Sequence, residues 1–268
     1  MTLLDIRNLT IRIDGRTVVD DVSLHVDAGE RVGLIGESGS GKSLTSMAVL
    51  GLRPPRGELS GSVRVEGVET IDADAATLRA LRGKIVGCVF QEPQSALDPL
   101  LPIHRHLVAP LRAHGMLPRG AARETAIRLA ESVGLPDAAQ LVRRYPHELS
   151  GGQRQRVMIA MAMSTSPRLL LADEPTTALD VTVQARVLRL MSDLVNRSGA
   201  GSLLVTHDMA VAASQCDRII VMQSGRIVEE GRPADLIHQP RTAYTAELID
   251  AAYATGWQPR RVREAVAA

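Results

Sequence analysis

"RVGLIGESGSGKSLTSMAVL", residues 31–50, decides the fold of this chain. Residues 31–35 are a short apolar run that follows the turn signal Ala28-Gly29 and reads as a strand. Residues 44–52 suit a helix that starts at Gly41-Lys42. Between them lies "GESGSGKS", residues 36–43. Glycine is costly in regular structure and useful where backbone must come close to something. Strand, Gly36-x-x-x-x-Gly41-Lys42-Ser43 and helix, in that order, make a phosphate-binding loop. Its backbone amides, over Gly36, Glu37, Ser38, Gly39, Ser40 and Gly41, can turn inward on a β-phosphate. Leu44 opens the helix, whose positive end adds to the attraction. Lys42 reaches the β- and γ-phosphates, and the Ser43 hydroxyl can ligate Mg²⁺. A purely structural glycine-rich turn is the alternative, and the ordered lysine, serine and helix favour the phosphate reading. The loop is expected to wrap a nucleoside triphosphate.

The bounds around this loop are those of one large domain or a domain with an appendage: 268 residues, 45% hydrophobic but only 2% aromatic. The core must therefore be aliphatic. Net charge is +1, from 31 basic and 30 acidic residues, which argues against a nucleic-acid partner. Two cysteines, Cys88 and Cys216, make neither a disulfide framework nor a metal cage and fit a reducing compartment. "MTLLDIRNLTIRID" is broken by charges and lacks the apolar core of a signal peptide. No stretch approaches the roughly 18 apolar residues of a spanning helix. A chain that reaches a membrane only through partners is expected.

Outward from the loop, "LLDIRN" and "VSLHV" precede it as strands, with a turn at Asp14-Gly15. "GSVRVEG" (61–67) alternates like a half-buried strand, Asp74 caps a helix running through Leu81, and "IVGCVF" (85–90) has the continuous apolar pattern of a strand covered on both faces. From Leu107 to Leu141 the period becomes helical, with Ala122, Ala126, Leu129, Ala130 and Val133 at helix spacing in a segment bounded by Pro118 and Pro136, as in a helical insertion between sheet-forming halves. Strands resume at 168–173, 202–206, 218–222 and 226–230, mostly separated by helical stretches such as 181–195. Alternation of this kind implies a mostly parallel sheet wrapped by helices. Two short helical stretches and an arginine-containing tail, "WQPRRVREAVAA", close the chain.

Two further segments carry chemistry. "RLLLADEP" ends a buried strand in Asp173 and Glu174, and strand carboxyl ends face the ligand crevice of such sheets. Asp173 suits the Mg²⁺ shell, and Glu174 suits the base that deprotonates an attacking water. A helix cap is the plainer use for such a pair, and the phosphate loop upstream favours the functional one. "LSGGQ" (149–153) opens an apolar helix and offers free amides at its positive end, a second anion site that implies two chains sharing each nucleotide.

With these motifs in hand the chain resembles the ATP-binding subunits of ABC transporters over roughly residues 1–235. "FQEP" with Gln91, "ALD" with Asp180 and "VTHD" with His207 complete the set in the family's order. The resemblance implies a P-loop NTPase (RecA-like) α/β core with a mostly parallel sheet, an N-terminal antiparallel part and a helical subdomain inserted at about 93–160. It implies ATP and Mg²⁺ as ligands, with Ser43, Gln91 and Asp173 around the metal. Glu174, His207 and Gln91 would be catalytic, His207 by holding the γ-phosphate and orienting Glu174. Ser150, Gly151, Gly152 and Gln153 would meet the γ-phosphate of the opposite subunit, and Asp180 would link the two sites. The family usually stacks an aromatic on adenine; here Ile13 stands at that place, and no aromatic precedes Phe90. The His104 and His106 pair reads as surface or structural, and Cys88 as a small core residue.

"FQEPQSALDPLLPI" and "PRTAYTAELIDAA" (240–252) are similar to the oligopeptide, dipeptide and nickel importer branch. The missing cysteine-rich ending leans towards nickel or metallophore members, with residues 236–268 as a short C-terminal extension of the branch. Implied partners are two transmembrane permease subunits, a second ATP-binding subunit (a copy or a paralogue) and, indirectly, an extracytoplasmic substrate-binding protein, on the cytoplasmic face of the inner membrane. The competing class is a soluble ABC ATPase acting on ribosome or DNA. Those proteins tend to carry two cassettes or a long coiled coil, which this sequence lacks.

Overall fold

The computed structural model describes residues 1–91, 96–177 and 179–257. Parts of "FQEP" and "ALD", the start of the expected insertion and nearly all of the tail therefore lie outside the described residues.

Two sheets form the frame. The N-terminal hairpin β1 (Thr2–Ile13) and β2 (Arg16–Asp27) joins β4 (Gly57–Val65) and β5 (Val68–Glu69) in a four-stranded antiparallel sheet of order β2-β1-β4-β5. The second sheet has six strands in the order β10-β9-β3-β8-β7-β6: β3 (Arg31–Ile35), β6 (Val86–Val89), β7 (Leu169–Asp173), β8 (Gly201–Thr206), β9 (Arg218–Gln223) and β10 (Arg226–Gly231). All its pairings are parallel except the hairpin β9–β10.

The period-2 pattern of the strands divides the core. Leu169, Leu171, Leu203, Val205, Ile220 and Met222 face a layer shared with the antiparallel sheet and α1 (Lys42–Val49). Their neighbours Leu170, Ala172, Leu204, Ile219 and Val221 face the helical layer. Since both faces are covered, these strands are apolar runs and not alternating ones. The helical layer contains α3 (Ile103–Ala113), α4 (Ala122–Ser132), α5 (Ala138–Leu141), α6 (Gly151–Met163), α7 (Val181–Ser198) and α8 (Met209–Gln215); α2 (Ala75–Leu81) precedes β6. Asp74 does cap α2, its carboxylate accepting from Thr77 N–H at 2.7 Å.

Some expectations shift. The helical run set at Leu107–Leu141 begins at Ile103 and is broken between α3 and α4. Gly115 explains the break: it ends α3 in the left-handed region at φ +66°, where Met116 N–H turns back to Leu111 O at 2.8 Å. The early start has a tertiary cause: the first α3 amides, at Ile103 and His104, donate to Arg144 O and Val142 O, each at 2.8 Å. His106 is buried with Nε2 3.1 Å from Asp98 O, and His104 Nδ1 lies 3.2 Å from Val142 O, both in structural positions. Cys88 is half-buried, because β6 is an edge strand. Burial still pushes its thiol up to about 12.

After β10 come α9 (Pro233–His238) and α10 (Ala243–Ala254). The buried Glu229 carboxylate of β10 fixes the start of α10. It accepts from Arg241 N–H (2.8 Å), Thr242 N–H (3.1 Å) and the Thr242 hydroxyl (3.0 Å). At the other end Tyr253 stacks on Trp257, with ring centroids 5.6 Å apart.

Candidate functional site

Four adjacent parallel strands, β3, β8, β7 and β6, end on the same side of the sheet. The phosphate loop follows β3, Glu174 follows β7, His207 follows β8 and Gln91 follows β6. Residues far apart in sequence meet there, at the carboxyl edge where such sheets bind ligands.

Gly36 is at φ +154°, and a Cβ there would lie 2.0 Å from Met222 O, so no side chain fits between the loop and β9. Gly41 ends the loop as the N-cap of α1 in a left-handed conformation, leaving the first helix amides without a side-chain cap. Lys42 is 4% exposed; its ammonium donates to Gly36 O and Glu37 O, each at 2.7 Å. Burial lowers its proton affinity, against the pull of Glu174, Asp173 and Glu37. Ser43 Oγ donates to Asp173 Oδ1 at 3.1 Å. Burial pushes the Asp173 carboxyl up, Glu174 adds to this, and the Ser43 hydrogen bond and Lys42 oppose it.

Glu174 is gathered by three neighbours. Gln91 Nε2 donates to its Oε2 at 3.1 Å, Thr177 Oγ1 donates to the same oxygen at 2.9 Å, and His207 Nδ1 lies 3.3 Å from Oε1. Its side chain is 15% exposed while that of His207 is 54% exposed, so the histidine is open to an incoming group. The Glu174 backbone is at φ +44°, rare for a non-glycine residue, and its N–H donates to Val205 O at 2.9 Å.

The remaining candidates stand apart from this cluster. Ser150 caps α6: its Oγ accepts from Gln153 N–H at 3.3 Å and Gln153 Oε1 accepts from Ser150 N–H at 2.9 Å. Gly152 approaches α7 so closely that a Cβ would lie 2.8 Å from Val183 Cγ1. Asp180 caps α7, accepting from Val183 N–H at 2.9 Å. Ile13 is half-buried at the end of β1, paired with Arg16 across the hairpin and with Gly57 of β4.

The model of the ABC transporter family matches residues 19–177, more than half of the chain. The chain belongs to the ABC transporter family. It is 44% identical to the probable D,D-dipeptide transport ATP-binding protein DdpD of Escherichia coli K12, over 98% of this chain and 82% of that protein. It is 40% identical to the oligopeptide transport ATP-binding protein OppD of Salmonella typhimurium, over 93% of this chain and 76% of that one. Against YejF of E. coli K12, an ABC transporter ATP-binding protein, identity is 45% over 93% of this chain, which spans about half (48%) of that relative. Among solved structures, the dimeric cassette MJ0796 bound to ADP and Pi is 30% identical, with a TM-score of 0.75 over 86% of this chain and 98% of that one.

This ABC cassette is thus an ATP-binding ATPase fold with peptide-transport relatives. Two contacts at its site escaped the sequence. Thr177 is the third residue after Glu174, the second threonine of "DEPTT", a spacing at which a hydroxyl can turn back on the chain. Tyr244, described below, left no local signal.

Proposed function

We propose that this chain is the ATP-hydrolysing subunit of a peptide importer, in which two cassettes close over two nucleotides and drive a pair of membrane permeases. The observation that carries this reading is the convergence of Lys42, Ser43, Asp173, Glu174, Gln91 and His207 at one sheet edge. Lys42 and the loop amides bind the triphosphate. Glu174 takes a proton from water as the water oxygen bonds to the γ-phosphorus; the bond to the bridging oxygen breaks and ADP leaves. Gln91, Thr177 and His207 hold the carboxylate in place, and His207 also reaches the γ-phosphate. The donor set fits Mg²⁺, since Ser43, Asp173 and Gln91 offer hard oxygens and the first two are already in contact. The ion would neutralise charge on the phosphates.

Ser150, Gly151, Gly152 and Gln153 serve the nucleotide of a second cassette, and Asp180 couples the two sites. The dimeric form of the MJ0796 relative supports this. The same reading divides the chain into a cassette over 1–235, with the helical insertion at about 93–160, and an extension over 236–268. Peptide cargo, in preference to nickel or a metallophore, follows the names of the relatives. Among the described residues no helix is long and apolar enough to cross a membrane. Attachment to the cytoplasmic face of the inner membrane is assigned to the permeases, and delivery of cargo to an extracytoplasmic binding protein. The test is Glu174→Gln: ATP binding persists while turnover falls by about a hundredfold or more. Hydrolysis at the parental rate overturns the assignment.

A further inference from the structure

The C-terminal helix reaches back to the phosphate loop. Glu37 N–H donates to the Tyr244 hydroxyl oxygen at 2.8 Å, across 207 positions of sequence. The same peptide unit accepts from Lys42 Nζ through Gly36 O, at 2.7 Å. One peptide plane therefore carries the tyrosine on its amide side and the lysine on its carbonyl side, and a rotation of that plane breaks both bonds. Glycine at position 36 gives the plane little torsional preference of its own, so contacts must hold it.

Tyr244 is well placed to do so. It is 6% exposed, and it sits in the first turn of α10, whose cap Thr242 is tied to the buried Glu229. Thr245, fully buried, donates its amide to Thr242 Oγ1 at 3.1 Å and completes the clamp. Further along, Ile249 and Ala252 pack into the helical core. The helix is thus docked by Glu229 and by apolar contact, and the tyrosine hydroxyl is not required for docking. At the far end of the relay, two of the three Lys42 donors go to loop carbonyls at 2.7 Å, while a third makes only a long 3.4 Å contact with Ser40 Oγ. That donor is the one free to turn to a phosphate oxygen.

We propose that Tyr244 is a positioning residue for the phosphate loop: its hydroxyl fixes the Gly36–Glu37 peptide and, through it, Lys42, so that the C-terminal helix sets how tightly the loop holds a nucleoside triphosphate. The proposal rests on the reading of Lys42 as the phosphate-binding lysine. Tyr244→Phe removes one oxygen and leaves the buried ring. In the full chain it is expected to weaken binding of ATP by about three- to tenfold, the worth of one hydrogen bond. KM rises by a similar factor while kcat at saturating ATP stays at the parental value. GTP weakens by the same factor, because the hydroxyl acts at the phosphate end. Thr242→Val, which loosens the clamp, also weakens ATP binding, and the double variant binds no worse than Tyr244→Phe alone.

Lys42→Ala separates the two levels. If it abolishes ATP binding and Tyr244→Phe binds ATP as tightly as the parent, the positioning role is overturned and the loop reading stands. If Tyr244→Phe loses affinity only in proportion to a lowered melting midpoint of the nucleotide-free chain, the hydroxyl is merely structural and the proposal fails. If Lys42→Ala binds ATP like the parent, the loop reading itself fails and the proposal with it.

Discussion

Burial raises the Asp173 carboxyl above its ordinary value, and Glu174 adds to the shift. A carboxyl with a raised folded-state pKa costs stability when ionised, a cost absent below its unfolded value and present in full above the folded one. Asp173→Asn keeps the shape and removes the charge. The nucleotide-free chain is expected to melt higher than the parent at neutral pH, with the gain fading towards about pH 3, below the ordinary Asp value. Mg²⁺-dependent hydrolysis falls steeply in the same variant; a lower melt at neutral pH contradicts the account. Ile13 yields a second expectation. An aromatic stack on a base is worth roughly 1–3 kcal/mol in single-strand binders, and isoleucine has no π-face. The chain should discriminate weakly between ATP and GTP, and Ile13→Tyr should tighten ATP binding by up to about tenfold. Titrations with both nucleotides check this, and strong ATP preference without gain in the tyrosine variant means that Ile13 does not face the base. At this scale the sequence is most legible where a motif is contiguous. Lys42 and Ser43 announce themselves because one loop must wrap one phosphate. Thr177 and Tyr244 do not, because their partners are fixed by the path of the chain between β7 and α7 and by the docking of α10.

The start of helix α10 is held by one carboxylate. Burial pushes Glu229 up, but hydrogen bonds from Thr245, Arg241 and Thr242 outweigh it and hold the group below its ordinary value. Its stabilising contribution is therefore present above the unfolded value and lost as pH falls through the folded one. Hydrogen-exchange protection at Ala246–Ile249, taken relative to the intrinsic rate at each pH, is expected to fall on acidification below about pH 4 in the parent. In Glu229→Gln the protection is already lower at neutral pH and nearly independent of acid. Equal protection in both chains over that range contradicts the clamp. The elements of the six-stranded sheet were visible in the sequence because burial on both faces writes continuous apolar runs. The start of α3 was not, since its first amides are satisfied by carbonyls of residues 142 and 144, a contact that periodicity cannot encode. The Asp74 cap of α2 was legible for the opposite reason: its bond spans three residues.

At the scale of the whole molecule, the LSGGQ signature segment (149–153) and the phosphate loop belong to different layers. Ser150 and Gln153 use their polar groups on each other, and Gly152 rests on Val183 of the helix that Asp180 caps. The chain is expected to be monomeric without nucleotide. Glu174→Gln with Mg-ATP should drive it, alone or with a paralogue, into dimers seen by light scattering. Ser150→Arg should prevent this by placing a long side chain at the junction. It also removes a cap worth about 1 kcal/mol, so its melting curve belongs beside the scattering. Dimers of undiminished stability in Ser150→Arg would remove the signature segment from the interface. Strand–helix alternation announced the parallel sheet and the Asp14-Gly15 turn announced the β1–β2 hairpin, whereas the pairing of β1 with β4 depends on long-range register and became visible only in the fold.

The stack of Trp257 on Tyr253 has a practical corollary. The chain has one tryptophan, and it closes the helix that begins beside the phosphate loop. Indole fluorescence, excited to the red of the absorption of the three tyrosines, is therefore an intrinsic optical gauge of that helix, with no label. Its emission maximum should shift to the red, and its quenching by iodide should rise, whenever the helix leaves its seat, so a stopped-flow trace can time that departure against nucleotide binding in the unmodified protein.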